Sequence, residues 1–395
     1  MLQDVEFSEA RGVDVRKINW VTTIFLLLTP AIGLIWGGIH VSRFGIGWIE
    51  IALFAAYLLA SGLSITAGYH RLFAHGAYEC RRVVKVFYLL FGAAAFQHSV
   101  LSWTSDHRRH HVQIDRDGDP YNINRGFLWA HIGWMLFEEE DAKPDFSNVP
   151  DLMADPLVRL QHRFYVPLAV TMGFVVPLGI GFAFGNPWGC LLWAGVLRLV
   201  VGHHSTFLVN SLAHTLGSRP YSLAVSARDS FVTALLTFGE GYHNFHHRFA
   251  TDYRNGFRRH QWDPTKWLIR TMAATGLAWN LYRAPRERIV AAMIECETET
   301  LLSRLRVRGE QAVAYARLRI AEVSKAMEGA ASRLGELERQ LAHARQSLGH
   351  ERDRQLERLR SDLRCARREF REARARWRAA IAELGSLPLP QTQIA

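Results

Sequence analysis

Cysteine is scarce in this protein. Cys80, Cys190, Cys296 and Cys365 are the only four in 395 residues, and no two form a CxxC pair. A disulfide framework, a thiolate zinc site and an iron–sulfur ligand run are thereby excluded. No GxGxxG fingerprint opens a nucleotide-binding fold, and no haem-binding segment is present. Charge is also missing over long stretches. Residues 19–42 contain no Asp, Glu, Lys or Arg, residues 44–69 contain only Glu50, and 164–184 and 188–209 are nearly as apolar. About 20 apolar residues suffice for a helix to cross a bilayer. The overall composition, 49% hydrophobic and 21% charged, hides these four runs.

Four spans in two hairpins are therefore expected. The first connection, around His40 to Gly47, offers only Arg43, and the second, Gly185-Asn186-Pro187, has no charge. Short loops rich in Lys and Arg stay on the cytoplasmic side. Both termini, a cap made of residues 70–163 and 210–285, and the tail from 286 to 395 should then be cytoplasmic. The N-terminal segment 1–18 is polar, without the apolar core and cleavage site of a signal peptide. Trp20, Trp36, Trp48 and Trp188 stand near span ends, as interfacial aromatics do. Residues 86–97, VFYLLFGAAAFQ, are too short to span, and read as re-entrant, interfacial or a core helix under the cap.

The net charge of +10 is concentrated at one end. Between Arg283 and Glu383 there are 23 Lys plus Arg against 16 Asp plus Glu. Leu334, Leu337, Leu341, Ala344 and Leu348 follow a 3-4 spacing, which Leu356, Leu359, Leu363, Ala366, Phe370, Ala373 and Trp377 resume after a stutter. This is the seam of a coiled coil or helical hairpin, with homo-oligomerisation or contact with anionic membrane lipid as its possible uses. No aromatic-basic motif accompanies the charge, so nucleic acid is not expected as a partner.

What the sequence has in abundance is histidine, eighteen residues, eight of them in three boxes. These are HRLFAH (His70, His75), HRRHH (His107, His110, His111) and HNFHH (His243, His246, His247), the last inside GEGYHNFHH at 239–247. In the second and third boxes the spacing i, i+3, i+4 puts three imidazoles on one helical face. The interval of five in the first box leaves its two rings about 140° from eclipsed on a regular helix, so they suit two neighbouring ions better than one. Nitrogen-rich, thiolate-free ligands suit iron, copper, zinc or nickel. Eight imidazoles exceed the capacity of one ion, which implies two. Only Glu240 stands three residues before a box histidine, so the paired ExxH pattern of soluble di-iron bundles is not met. His40, His98, His131, His162, His203, His204, His260, His343 and His350 read as ordinary packing or surface groups. A metal transporter would carry ligands in mid-span, whereas these lie at or beyond span ends.

The three boxes, their order, and the phrases SDHRRHHVQIDRDGDPYNINRGFLWAHIGWML at 105–136 and FLVNSLAHTLGSRPYS at 207–222 resemble membrane fatty-acid desaturases of the acyl-CoA Δ9 (stearoyl-CoA) type, over roughly residues 20–285. The resemblance does not reach the tail. It implies an all-α integral membrane fold, four transmembrane helices carrying a cytosolic helical cap around a di-iron centre. The implied reaction uses O2 and two electrons to place a cis double bond in a saturated acyl chain. Membrane residence, for a bacterial-like form, would be in the inner (cytoplasmic) membrane. Since the protein lacks its own electron carrier, a ferredoxin- or cytochrome-type donor is expected, drawn by the basic cytoplasmic face.

By the same resemblance the metal ligands are His70, His75, His107, His110, His111, His214, His243, His246 and His247, with Asn210 reaching one iron through water. His214 enters only this way, although Asn210 and His214 at i, i+4 share a helical face. Gln97, Trp103 and Thr206 fall near the bend of the family's substrate tunnel. Arg108, Arg109, Arg116 and Arg125 are candidates for holding the head group. Ser105 stands where the animal enzymes have arginine, which leaves acyl-phospholipid open beside acyl-CoA. A related membrane di-iron hydroxylase is the neighbouring reaction class. Asp117 and Asp119 read as turn residues or as acceptors orienting histidines.

Overall fold

A computed structural model describes residues 17–137, 146–344 and 351–386. The expected N-terminal segment therefore lies outside the described residues except for its last two positions. The protein divides into two compact units, residues 1–74 with 82–211, and residues 75–81 with 212–395.

The first unit holds the apolar helices. Among the described residues four are long and apolar enough to cross a membrane: Trp20–Phe44, Trp48–Ala74, Tyr165–Ala183 and Pro187–Thr215, the last running on into the second unit. The first and third are only 17% and 22% buried over their most apolar windows, against 44% for the second and fourth. The second and fourth therefore form the interior of this helix group, with Leu53 and Tyr57 packed on Cys190 and Ala194. The first also packs on the fourth.

Three boundaries differ from expectation. The first helix continues through His40 to Phe44 and stops at Gly45, whose φ of 72° ends helical winding. His40 is thus a helical residue, not a loop residue, and its Nε2 lies 2.6 Å from Oε1 of buried Glu50. The second helix passes its expected end at 69 because it changes to π-winding over Ser64–Ala74. The fourth passes 209 to include Asn210 and His214.

Two charged residues inside these helices, Glu50 and Arg198, are satisfied internally, as an apolar surround demands. Glu50 also accepts from Asn186 Nδ2 at 2.9 Å. Arg198, 1% exposed, donates to the carbonyls of Ala194, Ala94 and Gly173. Residues 82–94 form the short apolar helix, which packs against the π-wound segment. Tyr88 and Leu89 face inward, whereas Val83 and Phe87 are exposed.

The second unit begins with a two-residue antiparallel pairing of Glu79–Cys80 with Ala278–Trp279. Its C-terminal part is three helices, Arg286–Leu305, Glu310–Ala344 and Glu351–Gly385. The heptad seam is closed within the protein. Leu334 packs with Leu363 and Ala366, and Ala344 with Leu356 and Leu359. The ion pairs Arg333–Glu369 and Arg367–Glu338 fix the two long helices as antiparallel. Trp377 closes the other end, 1% exposed, in a core with Ile294, Leu305 and Ile320. Leu348 lies outside the described residues. The tail also does not break from what precedes it at 286: Ile289 and Ala292 pack with Tyr221 and Phe245, the central residue of the third histidine box.

Candidate metal centre

Histidines come close to one another within both units. In the first, the box HRRHH lies on the helix Val100–Gln113, started by Ser99, whose hydroxyl accepts from Ser102 N. His107 and His111, one turn apart, have ring centroids 4.7 Å apart, and His70 from the π-wound segment stands 4.7 Å from His107 at 89°. His70, His107 and His111 each present a nitrogen within 4.8 Å of the others. Trp103 stacks on His107 at 4.9 Å and 21°, closing one side.

His110 faces elsewhere on its helix. Its Nδ1 is 2.8 Å from Asp119 Oδ1, a pair 2% and 1% exposed, and its ring packs 4.4 Å from Tyr121. Asp119 is itself fixed by the backbone amides of Asp115 and Tyr121. A carboxylate at Nδ1 sets the tautomer that leaves Nε2 as the ligating nitrogen. Asp119 therefore combines the two readings left open for it, turn residue and histidine acceptor, whereas Asp117 is exposed.

In the second unit, His243–Arg248 is a single short helix. His243 and His247 have centroids 4.5 Å apart and Nε2 atoms 3.1 Å apart. His214 joins them at 4.9 Å from His243. These three also offer nitrogens within 4.8 Å of one another. His214 Nδ1 is set by Ser226 Oγ at 2.7 Å. His246 pairs instead with His75, at 4.8 Å. The third box thus divides, with His246 turned away from His243 and His247.

The surrounding sequence explains why so short a helix holds its place. Asn244, fully buried between the histidines, accepts from Tyr221 N and Ser222 N and donates to the carbonyls of Ser222 and Ala227. Asp229 Oδ1 accepts from Phe245 N at 3.0 Å, and burial pushes its carboxyl up to about 7. Gly239 takes φ of 97°, and a Cβ on Gly241 would collide with Ala234 N, so GEG lets the backbone pass the preceding helix in direct contact. Glu240, buried, accepts from Asn255 Nδ2, which is a supporting role for the half-motif seen in the sequence. Asn244, Ser226, Tyr121 and Asp229 are the supporting residues that sequence reasoning missed, since nothing in their local spacing sets them apart.

One expectation needs correction. Regular α-winding would make His70 and His75 diverge, but this segment is not wound that way. His70 lies inside the π-wound stretch Ser64–Ala74 and His75 follows it as a turn residue, so the α-helical angle between the two does not apply.

All nine expected histidines are buried or half-buried, and Asn210 is half-buried one turn before His214. Imidazoles grouped this closely, with second nitrogens set by Asp119 and Ser226, suit a divalent transition metal. They are compatible with a metal site by donor chemistry alone.

The remaining expected residues fall in the first unit. Gln97 Nε2 donates to Thr206 Oγ1 at 2.9 Å, joining two of the three tunnel candidates. Arg108 departs from its companions. It donates to the carbonyls of Phe73, Ala74 and Asn148 and to both oxygens of Asp151, so it ties the end of the second long helix to the second box. Arg109 stands 3.2 Å from Asp106, Arg125 lies 3.4 Å over the Trp129 ring, and Arg116 is exposed. Ser105 is closed off by reciprocal bonds with Asn148. Of the other histidines, His131 and His204 bond to each other at 3.1 Å and His203 to Ala95 O, as packing groups do. His350 lies outside the described residues.

The family model for fatty acid desaturases matches residues 46–283, the stretch that holds every box. A probable acyl-CoA desaturase of Schizosaccharomyces pombe is 40% identical over 319 residues, 80% of this protein and 66% of that one. Acyl-CoA desaturase 1 of Saccharomyces cerevisiae is 37% identical over 288 residues, 72% and 56% of the two lengths. Stearoyl-CoA desaturase 5 of Homo sapiens is 38% identical over 243 residues, 60% and 72%. The sequence thus spans somewhat less than two thirds of the first two relatives.

Proposed function

The protein belongs to the fatty acid desaturase family, and on that premise we propose that it is an integral membrane acyl desaturase. Its four spans form two hairpins, with both termini and the histidines on the cytoplasmic side of a bacterial inner membrane. The observation that carries the reading is the set His214, His243 and His247, three nitrogens within 4.8 Å on a helix locked by Asn244, in a sequence matched over 46–283.

The nine histidines would hold two iron ions, with Asn210 contributing through water. When bound, that pair supplies the reduction of O2 that drives removal of unactivated hydrogen. The balance is –CH2–CH2– plus O2, two electrons and two protons giving –CH=CH– and two waters. The electrons come from a separate ferredoxin- or cytochrome-type protein.

The protein's own groups do the rest. Asp119 and Ser226 hold the tautomers of His110 and His214. Trp103 covers His107, and the Gln97–Thr206 bond sets the bend in the acyl path. A methylene in the middle of a fatty acyl group offers no handle, so position along that path decides which bond is oxidised, which is catalysis by orientation. Relatives named acyl-CoA and stearoyl-CoA desaturases support a saturated long-chain acyl-CoA and a Δ9 product. Arg109, Arg116 and Arg125 are the cations left to hold its head group, since Arg108 is committed internally. That commitment and the closed Ser105–Asn148 pair favour acyl-phospholipid as the second reading of the carrier.

The test is expression in a host lacking unsaturated fatty acids, with the new double bond mapped by mass spectrometry and bound iron counted. Wild type should yield a cis-Δ9 product and two irons per molecule, and His243→Ala neither. Equal unsaturation from both would sink the assignment, and a hydroxylated product would move the protein to the neighbouring reaction class.

A further inference from the structure

The tail lies outside the stretch 46–283 matched to the desaturase family, yet it brings charge close to the third histidine box. Arg371, Arg374 and Arg378, at i, i+3 and i+7 on the helix Glu351–Gly385, share one face. Arg374 feels the charges of Arg378 and of Arg258, the latter from the matched stretch. The Arg258 guanidinium hydrogen-bonds the Tyr221 hydroxyl, and Arg374 approaches the same hydroxyl. Arg258 and Arg374 are half-buried and Arg378 is exposed. Like charges gathered in this way repel. Burial, together with the charges of Arg378 and Arg258, holds the Arg374 guanidinium below its ordinary value. Among the described residues no carboxylate forms an ion pair with any of the three. Glu297 acts on Arg374 from nearby, but its carboxylate already accepts from the Trp377 indole nitrogen. The cluster is short of negative charge, and carboxylates are the natural partners of guanidinium forks.

Beneath the cluster an aromatic stack runs into the box. The Arg258 guanidinium lies 5.6 Å from the Phe257 ring centroid. Phe257 stacks on Phe245 at 5.0 Å and 14°, and Phe245 is the fully buried central residue of HNFHH. Tyr221 packs 5.2 Å from Phe245 and 6.0 Å from Phe257. Electron transfer falls steeply with distance, so a donor must dock where packed atoms join its carrier to the acceptor. Resting on the desaturase reading, we propose that Arg258, Arg374 and Arg378 form the docking surface for the acidic redox protein that supplies the two electrons, with Phe257 and Phe245 on the route inward. Each encounter oxidises one donor by one electron, which passes to the histidine-held metal pair, and two encounters supply what the balance above requires. Long-range attraction between a basic patch and an acidic partner raises the encounter rate. Anionic lipid would offer the same charge, but a bilayer surface has no use for an aromatic route to the box. The tail then completes the surface on which the desaturase part receives its reductant.

The test immobilises the full-length protein in detergent and uses an acidic iron–sulfur ferredoxin as the probe. Wild-type binding should weaken about tenfold on moving from low to high salt. Arg374→Gln combined with Arg378→Gln should weaken it about tenfold at low salt, whereas Arg374→Lys combined with Arg378→Lys should stay near wild type, with the helical signal unchanged in both. Arg378→Glu alone, at an exposed position, should lower binding in the same direction, and it decides the matter if the double Gln variant does not fold. Oxidation of reduced ferredoxin should slow in step with binding, while reduction by dithionite, which needs no docking surface, should be unaltered. Equal ferredoxin binding by wild type and the charge-removed variants, or capture of phosphatidylglycerol vesicles in place of ferredoxin, would overturn the proposal. Salt-sensitive binding with no oxidation of the donor would keep the surface and strike the desaturase reading instead.

Discussion

The third histidine box and the tail helices lie in one compact unit and share a packed core at Phe245 and Ile289, yet they are held by different forces. The box is six helical residues fixed from outside by directional bonds: four to Asn244, one to Asp229, and Ser226 on His214. The two 35-residue helices of the tail meet along an apolar seam, with ion pairs at the rim. A helix of six residues has no stability of its own, whereas a long amphipathic one needs only a partner for its face. Ligand geometry must be held within fractions of an ångström, so polar anchors suit the first region and tolerant packing the second.

The comparison can be broken hardest at Asn244. Asn244→Ala leaves two amides and two carbonyls of the 221–227 segment unmatched in the interior. It should cost about 3–5 kcal/mol, read as a lower unfolding midpoint together with loss of bound metal. A metal-replete, fully stable variant would show that the box stands without its anchor.

In the tail, Leu363→Ala removes a side chain 2% exposed from the seam, with an expected loss of about 2–4 kcal/mol. Hydrogen exchange should quicken across 310–344 and 351–385 while metal content stays intact. If metal were lost too, the two regions would be one cooperative structure and the contrast would fail.

A smaller effect is expected at Asp119→Asn, which keeps shape but removes the charge facing His110 Nδ1. Metal affinity should fall about 10–100-fold, measured by competition with a chelator, and the fold should hold.

The last effect is a slope. The Asp229 carboxyl sits at about 7 in the folded protein because burial outweighs its bonds from backbone amides. The unfolded value is roughly 3.9. Between these values the folded state holds a proton that the unfolded state does not. This group's stabilisation is therefore present in full below the unfolded value and lost as pH rises from there through about 7. The loss amounts to about 1.4 kcal/mol per pH unit within that window. Asp229→Asn should remove that component, so the difference in unfolding free energy between the two proteins should vary from pH 5 to 8. A constant difference would mean that Asp229 is ionised throughout.

The four apolar helices and the long tail helices were readable from sequence because each is a local periodicity or a run. The histidine boxes were readable as local clusters by their close spacing, whereas the way the second and third boxes divide was not. Windings and partners were not. Nothing local in SITAGYHRLFA announces π-winding, or that it stops at Ala74 with His75 in the turn beyond. Arg108, Arg109, Arg116 and Arg125 look alike as a sequence, and only the fold shows Arg108 surrounded by carbonyls and Asp151.

The same division holds at the scale of the whole molecule. By itself the sequence determined which segments are apolar enough to cross a bilayer, which residues can bind metal, and that the tail has a face needing cover. The tertiary structure decided that the face is covered from within, that the third box splits with His246 toward His75, and that His110 takes Asp119 as its partner. The physical reason is range. Periodicity is set by neighbours a few positions away, while a buried polar group or apolar face takes whichever partner folding brings to it, 29 residues away for Leu363 and Leu334 and 171 for His246 and His75.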